Sequence, residues 1–222
     1  MSDVSVTVVR NILEAQEKIA RSNREFFDSK GIFVINLMSS PGAGKTSLLE
    51  RTIALLKDRF KIVVIEGDIQ SQEDALRIKR LGIEAVQINT GGACHLDANM
   101  IQSALERVSL DGCDLLIIEN VGNLVCPAEF ELGEHKKVMI LSVTEGDDKP
   151  LKYPLMFQKS SVLLINKIDL LPYVVCDVDK IKRITRELNP RVEIFDVSCK
   201  TGEGIDRWAE WLKDQIHNNR NQ

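Results

Sequence analysis

The chain lacks any apolar run near the roughly 18 residues needed to span a bilayer, so no membrane role is expected. It also lacks a basic excess. Lys and Arg number 29 against 33 Asp and Glu, for a formal net charge of −4. No basic run overrides that balance, which argues against a nucleic-acid surface. Cysteine is sparse, with five residues at no framework spacing. An odd, scattered set points away from disulfides and toward a reducing cytoplasm. The start, MSDVSVTVVRN, has no charged-then-apolar layout of a secretory signal. No repeat, low-complexity tract or linker divides the 222 residues, a length that suits one well-buried domain.

What is present is an alternation of apolar runs and amphipathic stretches. Val8, Ile12, Ala15, Ile19 and Phe26 recur at three- and four-residue steps and predict an N-terminal helix with one apolar stripe, ended by Gly31. Seven apolar runs follow, at 32–38, 61–66, 84–88, 114–119, 137–144, 161–167 and 191–198. Helical patterns separate them, and Ile205, Trp208, Leu212 and Ile216 predict a last amphipathic helix. Strands apolar on both faces and alternating with helices predict an α/β fold, a mostly parallel seven-stranded sheet with helices on both sides. The expected division is an N-terminal helix over 1–30 packed on a single domain over 31–217. Ligands in such sheets bind beyond the carboxyl ends of the strands.

The stretch SSPGAGKT (39–46) stands at the first such end, between an apolar run and a helical pattern. Strand, glycine-rich turn, Gly-Lys-Thr and helix form the context of a phosphate loop. Gly42 and Gly44 let backbone N–H groups of the Ser40, Ala43 and Ser47 region turn toward a polyphosphate, and the helix adds its positive end. Lys45 is placed to reach the β- and γ-phosphates, and the Thr46 hydroxyl to sit on Mg²⁺. Ser39 stands where a glycine is usual, a variant that most turn geometries accept. NKID (166–169) ends the sixth run. A carboxylate there accepts from guanine N1–H and the 2-amino group together, whereas adenine leaves it unpaired. Asn166 is expected at N7, the Lys167 stem over the base plane, and Ser198, Cys199 and Lys200 at guanine O6. Phosphate loop, NKxD and S-x-K in that order select GTP.

Asp68 and Glu119 follow strands where metal and water are handled. Thr46 and Asp68 are expected to hold or order Mg²⁺, with Glu119 acting through a bound water and the Gly122 N–H registering the γ-phosphate. Asp68 is the first candidate for orienting the attacking water and Asp74 the second. With no Gln or Arg in a decisive position, slow hydrolysis completed by a partner is expected. Lys149 either touches nucleotide or partner chain or stays solvated.

Cys94 and His95 lie in a glycine-rich loop, TGGACHLD, and Cys126 lies four residues after Gly122. Thiolate and imidazole suit Zn²⁺, Ni²⁺ or Cu⁺ rather than Mg²⁺. Three donors fall one short of a closed tetrahedral site, which a two-fold dimer sharing Cys94 and Cys126 would complete. Alternatively these are small packed side chains and a satisfied histidine. Packing is the reading for Cys113, Cys176 and Cys199.

Taken together, SSPGAGKT, EGDIQSQEDA, TGGACHLDANM, IIENVGNLVCPAEFELGE, GDDKPLKYP and NKIDLLPYV resemble the HypB family of hydrogenase nickel-incorporation GTPases, over about 32–211. The resemblance implies a GTPase of the signal-recognition/MinD (SIMIBI) class that dimerises with GTP. It implies a Ni²⁺ or Zn²⁺ site at the dimer interface from Cys94, His95 and Cys126. It implies nickel delivery to the large-subunit precursor of nickel–iron hydrogenase with a HypA-type partner. Family members with an N-terminal Cys-rich motif or His-rich tract differ from this chain, whose N-terminal helix holds neither residue. The urease accessory GTPase UreG shares several of these features but has Cys-Pro-His where this chain has adjacent Cys94 and His95. A regulatory GTPase switch with a purely structural zinc is the remaining alternative.

Overall fold

The computed structural model describes residues 2–68 and 73–220, with side chains at 14–67 and 76–220. Its strands are β1 (Phe33–Ser39), β2 (Ile62–Asp68), β3 (Glu84–Asn89), β4 (Leu115–Glu119), β5 (Lys136–Ser142), β6 (Val162–Asn166) and β7 (Glu193–Asp196). They form one sheet in the order β3-β2-β4-β1-β5-β6-β7, and every pairing is parallel. The chain leaves β1 toward one edge, returns through β4, and then crosses to the other edge. The carboxyl end of β1 is therefore flanked by those of β4 and β5, at the point where the winding direction reverses.

Both faces of the sheet are covered, because alternate strand residues point to opposite sides. On the first face Phe33, Ile35 and Leu37 pack under α2 (Lys45–Leu56) and α9 (Ile205–Arg220) in one continuous cluster. The second face holds two clusters. Val34 belongs to one, with Phe27 of α1 (Ser2–Lys30) and Ile101 of α4 (Ala98–Leu105). Met38 belongs to the other, with Phe157 of α7 (Pro154–Lys159) and Ile181 of α8 (Val178–Leu188). Between them on β1 stands Asn36, fully buried. Shorter helices, α3 (Glu73–Lys79), α5 (Cys126–Glu129) and α6 (Lys149–Lys152), lie in the connections.

Two expectations need correction. The face that α1 buries is Ala20, Asn23 and Phe27, while Phe26 and Ala15 are exposed and Ile19 is half-buried. The stripe is displaced because Asn23 is an inward residue: its Nδ2 donates to Ala98 O (2.9 Å) and Leu132 O (3.0 Å). A polar residue satisfied in this way is invisible to an apolar-periodicity reading. The side chains of Val8 and Ile12 lie outside the described residues. The fifth run was also drawn too long. β5 stops at Ser142, whose hydroxyl accepts from Thr144 N while Glu145 Oε1 accepts from Ser142 N, a capping box that turns residues 143–145 into a single 3₁₀ turn.

Candidate functional site

At the carboxyl end of β1, Gly44 takes φ 106° and starts α2. A Cβ there would lie 2.4 Å from Asn166 Nδ2, so glycine is required twice over, by torsion and by space. Lys45 Nζ donates to Ser39 Oγ at 3.1 Å, so the residue that replaces the usual glycine supports the lysine. Thr46 Oγ1 donates to Glu119 Oε1 at 3.1 Å, across to the end of β4, and both residues are buried. A cavity of about 440 Å³ opens there, lined by the glycine-rich loop, Thr46, Glu119 and residues 120–122. Gly122 comes close to that loop, since a Cβ on it would stand 2.9 Å from Pro41 N. The backbone of Asp68 ends β2 beside this cavity, but its side chain and that of Asp74 lie outside the described residues.

The NKID segment is braced from three sides. Asn166 Nδ2 donates to Ala43 O (2.9 Å), and its Oδ1 accepts from Lys167 N and Cys199 N. Lys167 holds φ 62°, a left-handed conformation uncommon outside glycine, and its Nζ donates to Gly42 O at 2.7 Å. Ser198 Oγ donates to Asp169 Oδ1 (2.6 Å) and accepts from Thr201 N. Arg51 of α2 donates to the carbonyls of Cys199 and Lys200, tying the S-C-K loop to the helix that follows the glycine-rich loop. One carboxylate is thus aimed by a hydroxyl, and one amide links both flanking loops.

The three soft donors come together as well. Cys94 Sγ is 3.0 Å from Cys126 Sγ and 3.5 Å from His95 Nδ1, and the donor atoms of all three residues lie within 4.8 Å of one another. Cys94 is exposed and the others half-buried. The His95 ring stacks on Phe130 at 4.0 Å. Burial holds the His95 imidazole below its usual value, against the pull of Asp97 and Glu129. Contact with Cys94 pushes the Cys126 thiol up, and burial adds to it. A neutral imidazole and two adjoining thiols form a donor set chemically fitted to a soft or borderline cation. Elsewhere burial pushes both Cys113 and Cys199 up to about 11, as expected of packed thiols.

The sequence of residues 33–196 matches the family model for the CobW/HypB/UreG nucleotide-binding domain. The hydrogenase maturation factor HypB of Escherichia coli K12 is 53% identical over 205 residues, covering 92% of this chain and 71% of that protein. The chain belongs to the HypB family. Two solved HypB structures are similar throughout. The one from Archaeoglobus fulgidus has a TM-score of 0.86 at 42% identity, covering 92% of this chain and all of that one. The one from Helicobacter pylori, in complex with nickel, has a TM-score of 0.88 at 40% identity, covering 93% and 97%. The family, the P-loop α/β fold and the guanine-type motif order expected of the sequence agree with one another.

Several contacts of this HypB-family site carry no motif. Arg77, held bidentate by Glu50 (3.0 and 2.7 Å), lines from α3 the cavity beside the glycine-rich loop. Glu145 Oε2 accepts from Ser40 Oγ at 2.5 Å, linking the 3₁₀ turn after β5 to the glycine-rich loop. Asn120 lines the cavity and also reaches the Cys94–His95 loop. In DALRIK a basic residue stands among hydrophobic ones, a pattern common on helix surfaces, so nothing in the sequence singles out Arg77.

Proposed function

We propose that the chain is a GTP-hydrolysing metallochaperone that assists nickel insertion into the large subunit of nickel–iron hydrogenase. Its work takes place in the cytoplasm, as a GTP-dependent homodimer with a HypA-type partner. The observation that carries this reading is the continuity of one segment. Glu119, bonded to Thr46, and Cys126, against Cys94, stand seven residues apart on a single connection. A change registered at the γ-phosphate is thereby delivered to a metal donor, a switch of the order–disorder kind. The GTP-binding unit spans 31–217, with helix 1–30 as its appendage. Among the described residues no helix is long and apolar enough to cross a membrane.

In this reading GTP and water become GDP and inorganic phosphate. Amides of residues 40–47 cradle the phosphates, and Lys45 turns from Ser39 to the β- and γ-oxygens. Thr46 and Glu119, buried side by side at the cavity wall, fit a magnesium ion, with Asp68 completing the set. A magnesium ion held by these residues would supply charge neutralisation to the bound phosphates. Gly122 donates its N–H to the γ-phosphate, and Asp68, or failing it Asp74, orients the attacking water. Asp169, aimed by Ser198, accepts from guanine, while Lys167 covers the base and Cys199 and Lys200 offer amides to O6. Cys94, His95 and Cys126 bind Ni²⁺ or Zn²⁺ as cargo. The exposed Cys94 leaves that set open for the same residues of a second copy, which supply the missing donors.

The test is equilibrium dialysis with Ni²⁺ in the presence of GDP or a non-hydrolysable GTP analogue, alongside phosphate release and size-exclusion chromatography. Nucleotide-dependent nickel affinity, lost in Cys94→Ala, is the expected result. Metal affinity indifferent to nucleotide would reduce the site to a structural one. Asp169→Asn should exchange GTP preference for XTP, and unchanged discrimination would overturn the base-pocket assignment.

A further inference from the structure

On the second face of the sheet, between its two apolar clusters, four polar side chains form a buried row. Asn120 Nδ2 donates to Asn36 Oδ1 (3.2 Å), and Asn36 Nδ2 donates to Glu134 Oε1 (3.2 Å). Glu134 Oε1 lies 3.8 Å from Lys137 Nζ. Asn36 and Lys137 are register partners on β1 and β5, so the row runs across the middle of the sheet. Its members are exposed by only 1%, 0%, 4% and 5% in the order Asn120, Asn36, Glu134, Lys137. Apolar residues would fill this space at lower desolvation cost, so the row is expensive unless its fixed hydrogen-bond geometry serves a purpose.

Both ends of the row touch the arms of the thiol–imidazole site. Asn120 Oδ1 accepts from Val121 N (2.9 Å) in its own segment and from Leu96 N (3.0 Å), the residue after His95. Lys137 Nζ donates to Ala128 O (3.2 Å) and Phe130 O (3.0 Å), two and four residues beyond Cys126. Phe130 is the ring on which His95 stacks. Asn120 itself lies between Glu119, bonded to Thr46, and Gly122, packed on Pro41. Any shift of residues 119–122 must carry the Asn120 carboxamide with it. That shift either drags Leu96 and Asn36 along or leaves buried polar groups unpaired.

We infer that Asn120 is a positioning residue that couples the nucleotide segment to both arms of the metal site, directly through Leu96 and indirectly through Asn36, Glu134 and Lys137. This rests on the reading that metal affinity responds to nucleotide, and it assigns the link to a buried side-chain row in addition to the chain continuity from Gly122 to Cys126. Coupling is then reciprocal: Ni²⁺ changes the affinity for the GTP analogue by the same factor that the analogue changes the affinity for Ni²⁺.

The experiment measures the ratio of Ni²⁺ dissociation constants with GDP and with the GTP analogue in full-length wild type, Asn120→Ala, and the double variant Glu134→Gln/Lys137→Met. The double variant replaces the buried Glu134–Lys137 pair by neutral side chains of similar shape, and it also removes the nearer contact of Lys137 with Glu131 at 3.0 Å. Thermal unfolding and GDP affinity, measured in every variant, report folding. A wild-type ratio of about tenfold is expected. It should fall to within about twofold of unity in Asn120→Ala, and by about threefold in the double variant, which retains the Leu96 contact. A residue that merely stabilised the fold would alter both dissociation constants together and leave their ratio intact. Variants that keep the wild-type ratio overturn the row alone. A wild-type ratio of one overturns both the row and the reading beneath it.

Discussion

Asn166 reaches the glycine-rich loop, Lys167 and Cys199 from a strand end that is almost fully buried. Cys94 stands exposed on a loop with its sulfur against His95 and Cys126. The carboxamide of one buried asparagine ties the glycine-rich loop, Lys167 and the S-C-K loop together. The thiol–imidazole cluster instead lies on two loops, with Cys94 exposed and the loops held by Asn120 and by the ring of Phe130.

The contrast can be broken most directly at Lys45. Lys45→Ala removes about two charge-assisted hydrogen bonds to phosphate, and GTP affinity measured by calorimetry should fall by roughly 10²- to 10⁴-fold. Next in size, Cys126→Ala should weaken Ni²⁺ binding by about 10²-fold while GDP affinity stays within about twofold. An equal loss of both would show that the two regions are a single site. Gly122→Ala forces a methyl against Pro41 and should slow phosphate release by about tenfold. Wild-type turnover there would mean that the loop has room the close contact denies.

His135, the residue before β5, should give a smaller effect. His135 Nδ1 accepts from Val34 N, and its Nε2 faces Asp28 at 2.9 Å, so the neutral ring is the form that fits. Burial, with Arg24 adding to it, holds the imidazole below 6.5 despite the pull of Asp28. As pH falls below 6.5 the unfolded chain takes up a proton that the folded chain resists. Stability should therefore fall as pH drops from that value through the folded pKa, by at most about 1.4 kcal/mol per pH unit. Denaturant titrations of wild type and His135→Gln between pH 5 and 7 should differ in slope. Glu134 acts in the opposite sense: burial raises it, despite Lys137, so its share of stability declines as pH rises above the usual carboxylate range. The difference between the two proteins isolates the histidine.

The pocket was legible in the sequence because its parts are short contiguous strings at strand ends. SSPGAGKT, NKID and SCK each carry their own spacing, and the fold that joins them follows from alternating apolar runs. The residues alone leave the convergence of Cys94, His95 and Cys126 open, because nothing in local spacing brings residues 32 apart together. Asn36 and Lys137 escaped notice for a different reason. They sit inside FVINLMS and KKVMILS, where a strand reading expects apolar side chains, and their partners are remote in sequence. Asn23 misled in the same way, a satisfied polar group on a buried helix face.

The polar row also divides the second face mechanically. Beneath α2 and α9 the sheet is backed by one uninterrupted layer of hydrocarbon, but on the far side Val34 and Met38 belong to separate pools with a hydrophilic seam between them. The two faces are therefore tied differently, the first by close packing alone and the second by directional hydrogen bonds as well, and those bonds end on the segments that carry Cys94, His95 and Cys126.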